Sequence, residues 1–169
     1  LVKLYIRYGV RYVEASAFMQ ISPAIVYYRL MALERGSDGK VLSKRKLIAK
    51  ISRPEVATAF LSPAPENIVK HLLEEKLITQ EQATMAKEVP VADDLCVESD
   101  SGGHTDMGVT STLLPSILRL RDDICREQGY RCQVSVGAAG GIGTPEAAVA
   151  AFMLGADFIV TGSINQCTI

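Results

Sequence analysis

The residues best suited to chemistry gather at the ends of apolar runs. Val134–Ser163 reads VSVGAAGGIGTPEAAVAAFMLGADFIVTGS: a β-branched run ends in glycines, a capped helix follows, and a second run ends in Thr-Gly-Ser. Such a strand–helix–strand unit sets two glycine-rich turns side by side. Their bare backbone N–H groups suit a phosphate monoester, and so a phosphate-bearing cofactor. Gly140, Gly141 and Gly143 allow close backbone approach before a helix starting near Pro145. The helix dipole there adds roughly 0.3–1 kcal/mol for an anion. The plainer alternative is that these glycines only make a tight turn. One such turn is a weak signal; two, separated by one helix and one strand, are a stronger one. The order G-x-G-x-x-G is absent, so a dinucleotide fold has little support.

Three further groups follow other apolar runs. Lys50 comes after Leu47-Ile48-Ala49, where a lysine is costly unless paired. It is either a cation aimed at an electron-rich ring or anion, or a strand-end lysine reaching solvent. Ser99-Asp100-Ser101-Gly102-Gly103-His104 follows Asp94–Glu98. His104, closing a Gly-Gly-His turn between Asp100 and Asp106, can give or take a proton near neutral pH, with a structural role as the alternative. His71, on a helix with Glu74 and Glu75, reads as a surface residue. Arg119, Arg121, Arg126 and Arg131 read as a solvated face among acids.

The elements that must position these groups alternate. Strands are expected at Arg11–Ser16, Lys46–Ser52, Asp94–Glu98, Val134–Gly137 and Phe158–Gly162. Helices are expected at Pro23–Glu34, Pro54–Phe60, Pro65–Lys76, Thr79–Lys87, Leu113–Glu127 and Pro145–Leu154. Ser22-Pro23 and Thr144-Pro145-Glu146 are N-cap signals, and Thr79–Gln82 has capping-box spacing. The alternation predicts an α/β fold with parallel strands and right-handed crossovers. Functional groups at the carboxyl ends of successive parallel strands are the arrangement of a (β/α)8 TIM barrel, whose last two strand ends commonly build a phosphate site. Residues 62–88 exceed a simple crossover and read as an inserted helical hairpin of a kind that often carries specificity or partner contacts.

Composition sets the frame. The chain has 169 residues, 48% of them apolar, and a formal net charge of −1, as expected for one soluble domain spanning 1–169. No basic cluster supports nucleic-acid binding, and no apolar run reaches membrane-span length. Cys96, Cys125, Cys132 and Cys167 show no C-x-x-C spacing, so reduced thiols in a cytoplasmic protein are expected and no metal site is. Leu1, Leu4, Tyr5 and Tyr8 fall at helical spacing from the first residue, and the chain stops just after Thr-Gly-Ser, so it reads as a piece of a longer protein.

ADDLCVESDSGGHTD and VGAAGGIGTPEAAVAAFMLGADFIVTGSINQ resemble the flavin-dependent enoyl reductases that act in trans with polyunsaturated fatty acid and polyketide synthases. These belong to the wider nitronate monooxygenase (2-nitropropane dioxygenase-like) superfamily. VRYVEASAFMQISPAIVYYRL and AKISRPEVATAFLSPAPE match the reductase branch, so the resemblance runs over almost the whole chain. It implies an FMN-binding barrel, partial here, covering about strands 4 to 8. Gly140 and Gly141, with Gly162 and Ser163, match the FMN-phosphate turns. Ser163 stands where many nitronate monooxygenases have threonine, a mild departure. Lys50 matches a lysine at the flavin N1–C2=O edge, and His104 matches the active-site histidine. Gly102 and Gly103 match the backbone beside the ring, and Ser101 belongs to the same cofactor-binding turn.

The implied activity is reduction of enoyl thioesters on an acyl carrier protein, with hydride passing from NAD(P)H through FMN. Nitronate oxidation and an inactive barrel piece are the alternatives, and the resemblance leaves a homodimer open. A complete barrel runs to about 250 residues. Five strands cannot close one, so the isolated segment is expected to hold FMN poorly.

Overall fold

The computed structural model describes residues 1–16, 19–99, 106–131 and 133–167. Helix α1 (Val2–Arg7) ends before Gly9, whose φ of +67° lies in the left-handed region that glycine occupies freely. Strand β1 (Tyr12–Ala15) leads to α2 (Pro23–Leu30), where Ser22 Oγ accepts from the Ile25 amide and Pro23 takes the first turn. After a short ribbon, β2 (Leu33–Arg35) and β3 (Val41–Ser43), come β4 (Lys46–Ile51) and α3 (Pro54–Leu61). Helices α4 (Glu66–Glu74) and α5 (Gln80–Met85) precede β5 (Asp94–Glu98); α5 starts in a complete Thr79–Gln82 capping box. The long α6 (Thr110–Gln128) ends at Gly129 (φ +64°), and β6 (Ser135–Ala139), α7 (Pro145–Met153) and β7 (Ile159–Val160) follow. A 3-10 turn over Ser163–Cys167 closes the described chain.

Strands β1, β4, β5, β6 and β7 form one parallel sheet in chain order. Sequential neighbours joined by helical crossovers are barrel topology, and this is a partial TIM barrel, as the strand ends and the family resemblance led us to expect. Alternation along the strands divides the side chains between two faces. Leu47, Ala49 and Ile51 of β4 and Leu95 and Val97 of β5 pack in one apolar core with Phe60, Leu61, Leu114 and Ile117 from the helices. Ile48, Cys96 and Ala139 turn the other way, into a small separate cluster with Phe158 and Val160. That second face is the barrel interior, and it also carries the polar groups.

A buried ion pair fixes the amino ends of the strands. Arg29 of α2 meets Asp93 at 3.1 Å, and Asp93 accepts from the Leu47 amide at 2.9 Å while its own amide donates to the Leu47 carbonyl. Burial pushes the Asp93 carboxyl above its ordinary value, and Arg29 opposes that shift.

The structure departs from the expected elements in identifiable places. The helix expected over Pro23–Glu34 stops at Leu30, and Leu33–Arg35 pairs antiparallel with Val41–Ser43. The Gly36–Lys40 turn closes this ribbon, and Arg35 ties it to Glu88 at 2.6 and 3.1 Å. Strand β6 runs on to Ala139 instead of stopping at Gly137. A Cβ on Gly137 would lie 2.3 Å from the Phe158 ring, so this glycine serves packing inside the strand. Arg121 is not a solvated residue: its guanidinium donates to the Val134 carbonyl and pairs with Asp157 at 3.7 Å. His71 is exposed, as expected.

Candidate functional site

The carboxyl ends of the sheet bring most of the expected groups together. Ala139 of β6 pairs with Val160 of β7, so Gly140-Gly141 and Thr161-Gly162-Ser163 leave adjacent strands at the same level. Gly140 (φ +91°) and Gly141 (φ +69°) both adopt backbone that L side chains avoid. At Gly140 the reason is also steric, because a Cβ there would sit 2.4 Å from the Ser99 carbonyl oxygen. The Ser99 amide donates to the Ala139 carbonyl at 2.9 Å, which binds the start of the β5–α6 connection to this turn. Thr144 caps α7 by accepting from the Ala147 amide at 3.2 Å, so the turn opens onto the start of a nine-residue helix. Beside Gly143 and Gly162 a Cβ would meet nothing within 4 Å.

Backbone amides at a capped helix start, open space over two glycines and the Ser163 hydroxyl make a donor set that fits a phosphate monoester. These residues fit the phosphate end of FMN. Among the described residues no cluster of His, Cys, Asp and Glu could hold a metal.

Lys50 projects from β4 on the barrel-interior face. Its Nζ lies 3.5 Å from a carboxylate oxygen of Glu14 on β1 and 3.5 Å from one of Glu98 on β5. Burial works against the ammonium, yet Glu14 and Glu98 outweigh it and hold the group above the ordinary lysine value. The strand-end lysine reaching solvent is therefore set aside. Cys96, beside Lys50 across the β4–β5 pair, is buried, and burial pushes its thiol up to about 12, so it stays an unreactive packing group. Nearer the amino ends, the Tyr12 hydroxyl donates to Asp94.

The β5–α6 connection returns at Asp106, which is clamped to the end of β4. The Arg53 guanidinium approaches it with two contacts, at 2.9 and 2.5 Å, and the Ser52 hydroxyl donates to it as well. Arg53 and then Ser52 hold the Asp106 carboxyl down at about 2. A cleft of about 560 Å³ lies beside this clamp, lined by Met19, Ile21, Val56 and Pro63 along with Arg53 and Asp106. Another, of about 570 Å³, lies among α1, β1, α2 and α4 and touches neither glycine turn.

Of the expected site residues, the structure brings Lys50, Gly140, Gly141, Gly162 and Ser163 to the interior face and carboxyl ends of one sheet. Ser101, Gly102, Gly103 and His104 lie outside the described residues. Sequence reasoning passed over Glu14, Glu98, Ser52 and Arg53. A signal for the two glutamates was present: each is a carboxylate in an apolar strand at a position alternating with core residues.

No family model matches the chain. It is 56% identical over 169 residues to the polyketide biosynthesis protein PksE of Bacillus subtilis, which covers 100% of this chain and 22% of that protein. It is 57% identical over 168 residues to the polyketide biosynthesis protein ThaF of Burkholderia thailandensis, covering 99% of the chain and 15% of ThaF. It is 54% identical over 160 residues to a polyunsaturated fatty acid synthase component of Thraustochytrium, covering 94% of the chain and 8% of that protein. The chain thus spans about a fifth or less of the length of these curated relatives. Among solved structures, the enoyl reductase domain of MlnA, from the macrolactin biosynthesis cluster of Bacillus amyloliquefaciens, superposes with a TM-score of 0.93 at 45% identity, over 99% of this chain and 38% of that one. The chain is homologous to one segment of these polyketide biosynthesis and polyunsaturated fatty acid synthase proteins, and it shares its fold with an enoyl reductase domain.

Proposed function

We propose that the protein is an FMN-dependent enoyl reductase acting on carrier-bound enoyl thioesters in polyketide or polyunsaturated fatty acid synthesis. The observation that carries this reading is the meeting of two glycine turns on adjacent strand ends, on a chain 45% identical to an enoyl reductase domain. Gly140, Gly141, Gly162 and Ser163 would hold the FMN phosphate. FMN, when bound, would supply the hydride relay between NAD(P)H and the β-carbon of the enoyl chain.

The chain's own residues supply position and charge. Lys50 presents an ammonium on the interior face for an electron-rich flavin edge. His104 is the assigned proton donor, or organiser of the donor, at the substrate α-carbon. The Arg53–Asp106 clamp ties Asp106, two residues after His104 in the sequence, to the end of β4. The apolar-walled cleft beside it suits an acyl chain better than a small nitroalkane. The partner in this reading is an acyl carrier protein or domain of a synthase, and residues 62–88, which contain α4 and α5, are an inserted hairpin within a single domain.

The test uses the full-length protein with and without His104→Ala. The reading expects bound flavin in both, and a loss of enoyl thioester reduction of about 10²–10⁴-fold in the variant. An unchanged rate would remove the role assigned to His104. Faster turnover of a nitronate than of a crotonyl thioester by the unaltered protein would replace the reductase with nitronate oxidation.

A further inference from the structure

Lys50 does not stand alone in the barrel interior. In the register of β1, β4 and β5, Glu14 pairs with Ile48 and Lys50 pairs with Cys96, so Glu14, Lys50 and Glu98 lie on a diagonal across three strands. Alternation puts all three on the face opposite the helices. The Lys50 ammonium is 3.5 Å from each carboxylate, and its side chain is only 21% exposed. A lysine this deep in an apolar strand, with no anion nearby, tends to lose its proton. Two carboxylates on separate strands remove that tendency and also restrain the flexible butyl stem from both sides. An ammonium has three N–H donors, so two carboxylates still leave one for a ligand oxygen.

We infer that Glu14 and Glu98 are positioning residues that hold the Lys50 ammonium charged and fixed in the barrel interior, with one N–H that neither carboxylate needs directed to a ligand. Its use toward flavin rests on the proposed function; the positioning itself does not. The triad has a formal charge of −1, so its value to an electron-rich ring is a directed N–H and not a surplus of positive charge. Among the described residues, the other ionisable groups on this face of β1 and β5 are Cys96 and, nearer the amino ends, Tyr12 and Asp94. None of them supplies a second cation that could substitute for Lys50.

The experiment follows the Lys50 side chain by 13C-lysine NMR in the full-length protein, with the signal assigned by its loss in Lys50→Met. The unaltered protein, Glu14→Gln, Glu98→Gln and the double variant are titrated over the alkaline range in which each stays folded. The expected result is that Lys50 of the unaltered protein stays charged to higher pH than ordinary lysines. Each single variant lowers its midpoint, and the double variant lowers it most. Where a glutamine variant does not fold, Glu14→Asp or Glu98→Asp takes its place. Aspartate draws the charge back by one methylene, so a smaller shift in the same direction is expected. Midpoints equal to that of the unaltered protein in these variants would overturn the inference, because carboxylates serving only fold stability would not move the titration of Lys50. A protein without flavin would count against the proposed function, while the titration would still decide the role of Glu14 and Glu98.

Discussion

At Gly140 the backbone itself rules out a side chain. Its φ of +91° and the 2.4 Å approach of a virtual Cβ to the Ser99 carbonyl leave alanine no relaxed place, since the obstruction is backbone. Gly140→Ala should cost about 1–3 kcal/mol or more, read as a lower urea midpoint, and should weaken FMN retention in parallel. At Gly162 a Cβ meets nothing within 4 Å, so Gly162→Ala should leave stability nearly unchanged and lower only FMN affinity. Equal losses of stability at both glycines would contradict the division of their roles. Asp106 gives a pH-dependent counterpart. Its carboxyl is held at about 2, against an ordinary 3.8, by Arg53 and Ser52. A depressed carboxylate contributes stability that is present above the ordinary value and lost as pH falls toward the folded one. The destabilisation by Asp106→Asn should therefore be complete above about pH 4 and fade between 3.8 and 2, as followed by denaturant midpoints across pH.

The elements were legible in the sequence wherever local chemistry decided them. Ser22-Pro23, the Thr79–Gln82 box and Thr144-Pro145 each mark a helix start that the structure places within a residue. Thr144→Ala should cost about 1 kcal/mol and loosen the α7 start that the phosphate reading uses; a thermal melt checks it. The β2–β3 ribbon was missed because Met31-Ala32-Leu33-Glu34 continues the apolar spacing of α2, although Gly36-Ser37-Asp38-Gly39 was a turn signal. The Glu14–Lys50–Glu98 contact and the Arg53–Asp106 clamp join separate strands and loops, and periodicity within one segment cannot reveal them. The same holds for Arg29 and Asp93, which lie far apart in the sequence. Asp93→Asn would leave a buried guanidinium facing a neutral amide. It should cost about 3–5 kcal/mol in chemical denaturation, and replacing both partners with apolar residues should cost much less.

At the scale of the whole molecule, the main sheet is a row of five parallel strands in chain order, with helices on one face and a charged triad on the other, and the antiparallel β2–β3 ribbon is a separate sheet. The two outer strands of the described sheet, β1 and β7, carry candidate groups: Glu14 on the first and the Thr161–Ser163 turn just past the second. The proposed site would thus draw on the full width of the described sheet, and strand register would set its geometry. The central claim is that this arrangement serves enoyl reduction through flavin. The most direct measurement is anaerobic: the full-length protein is reduced with NAD(P)H until the visible flavin absorbance bleaches, and a crotonyl thioester is then added. The account predicts that the absorbance returns at once and in proportion to the thioester added. Absorbance that stays bleached until oxygen is admitted, or a folded protein that carries no flavin, would contradict it.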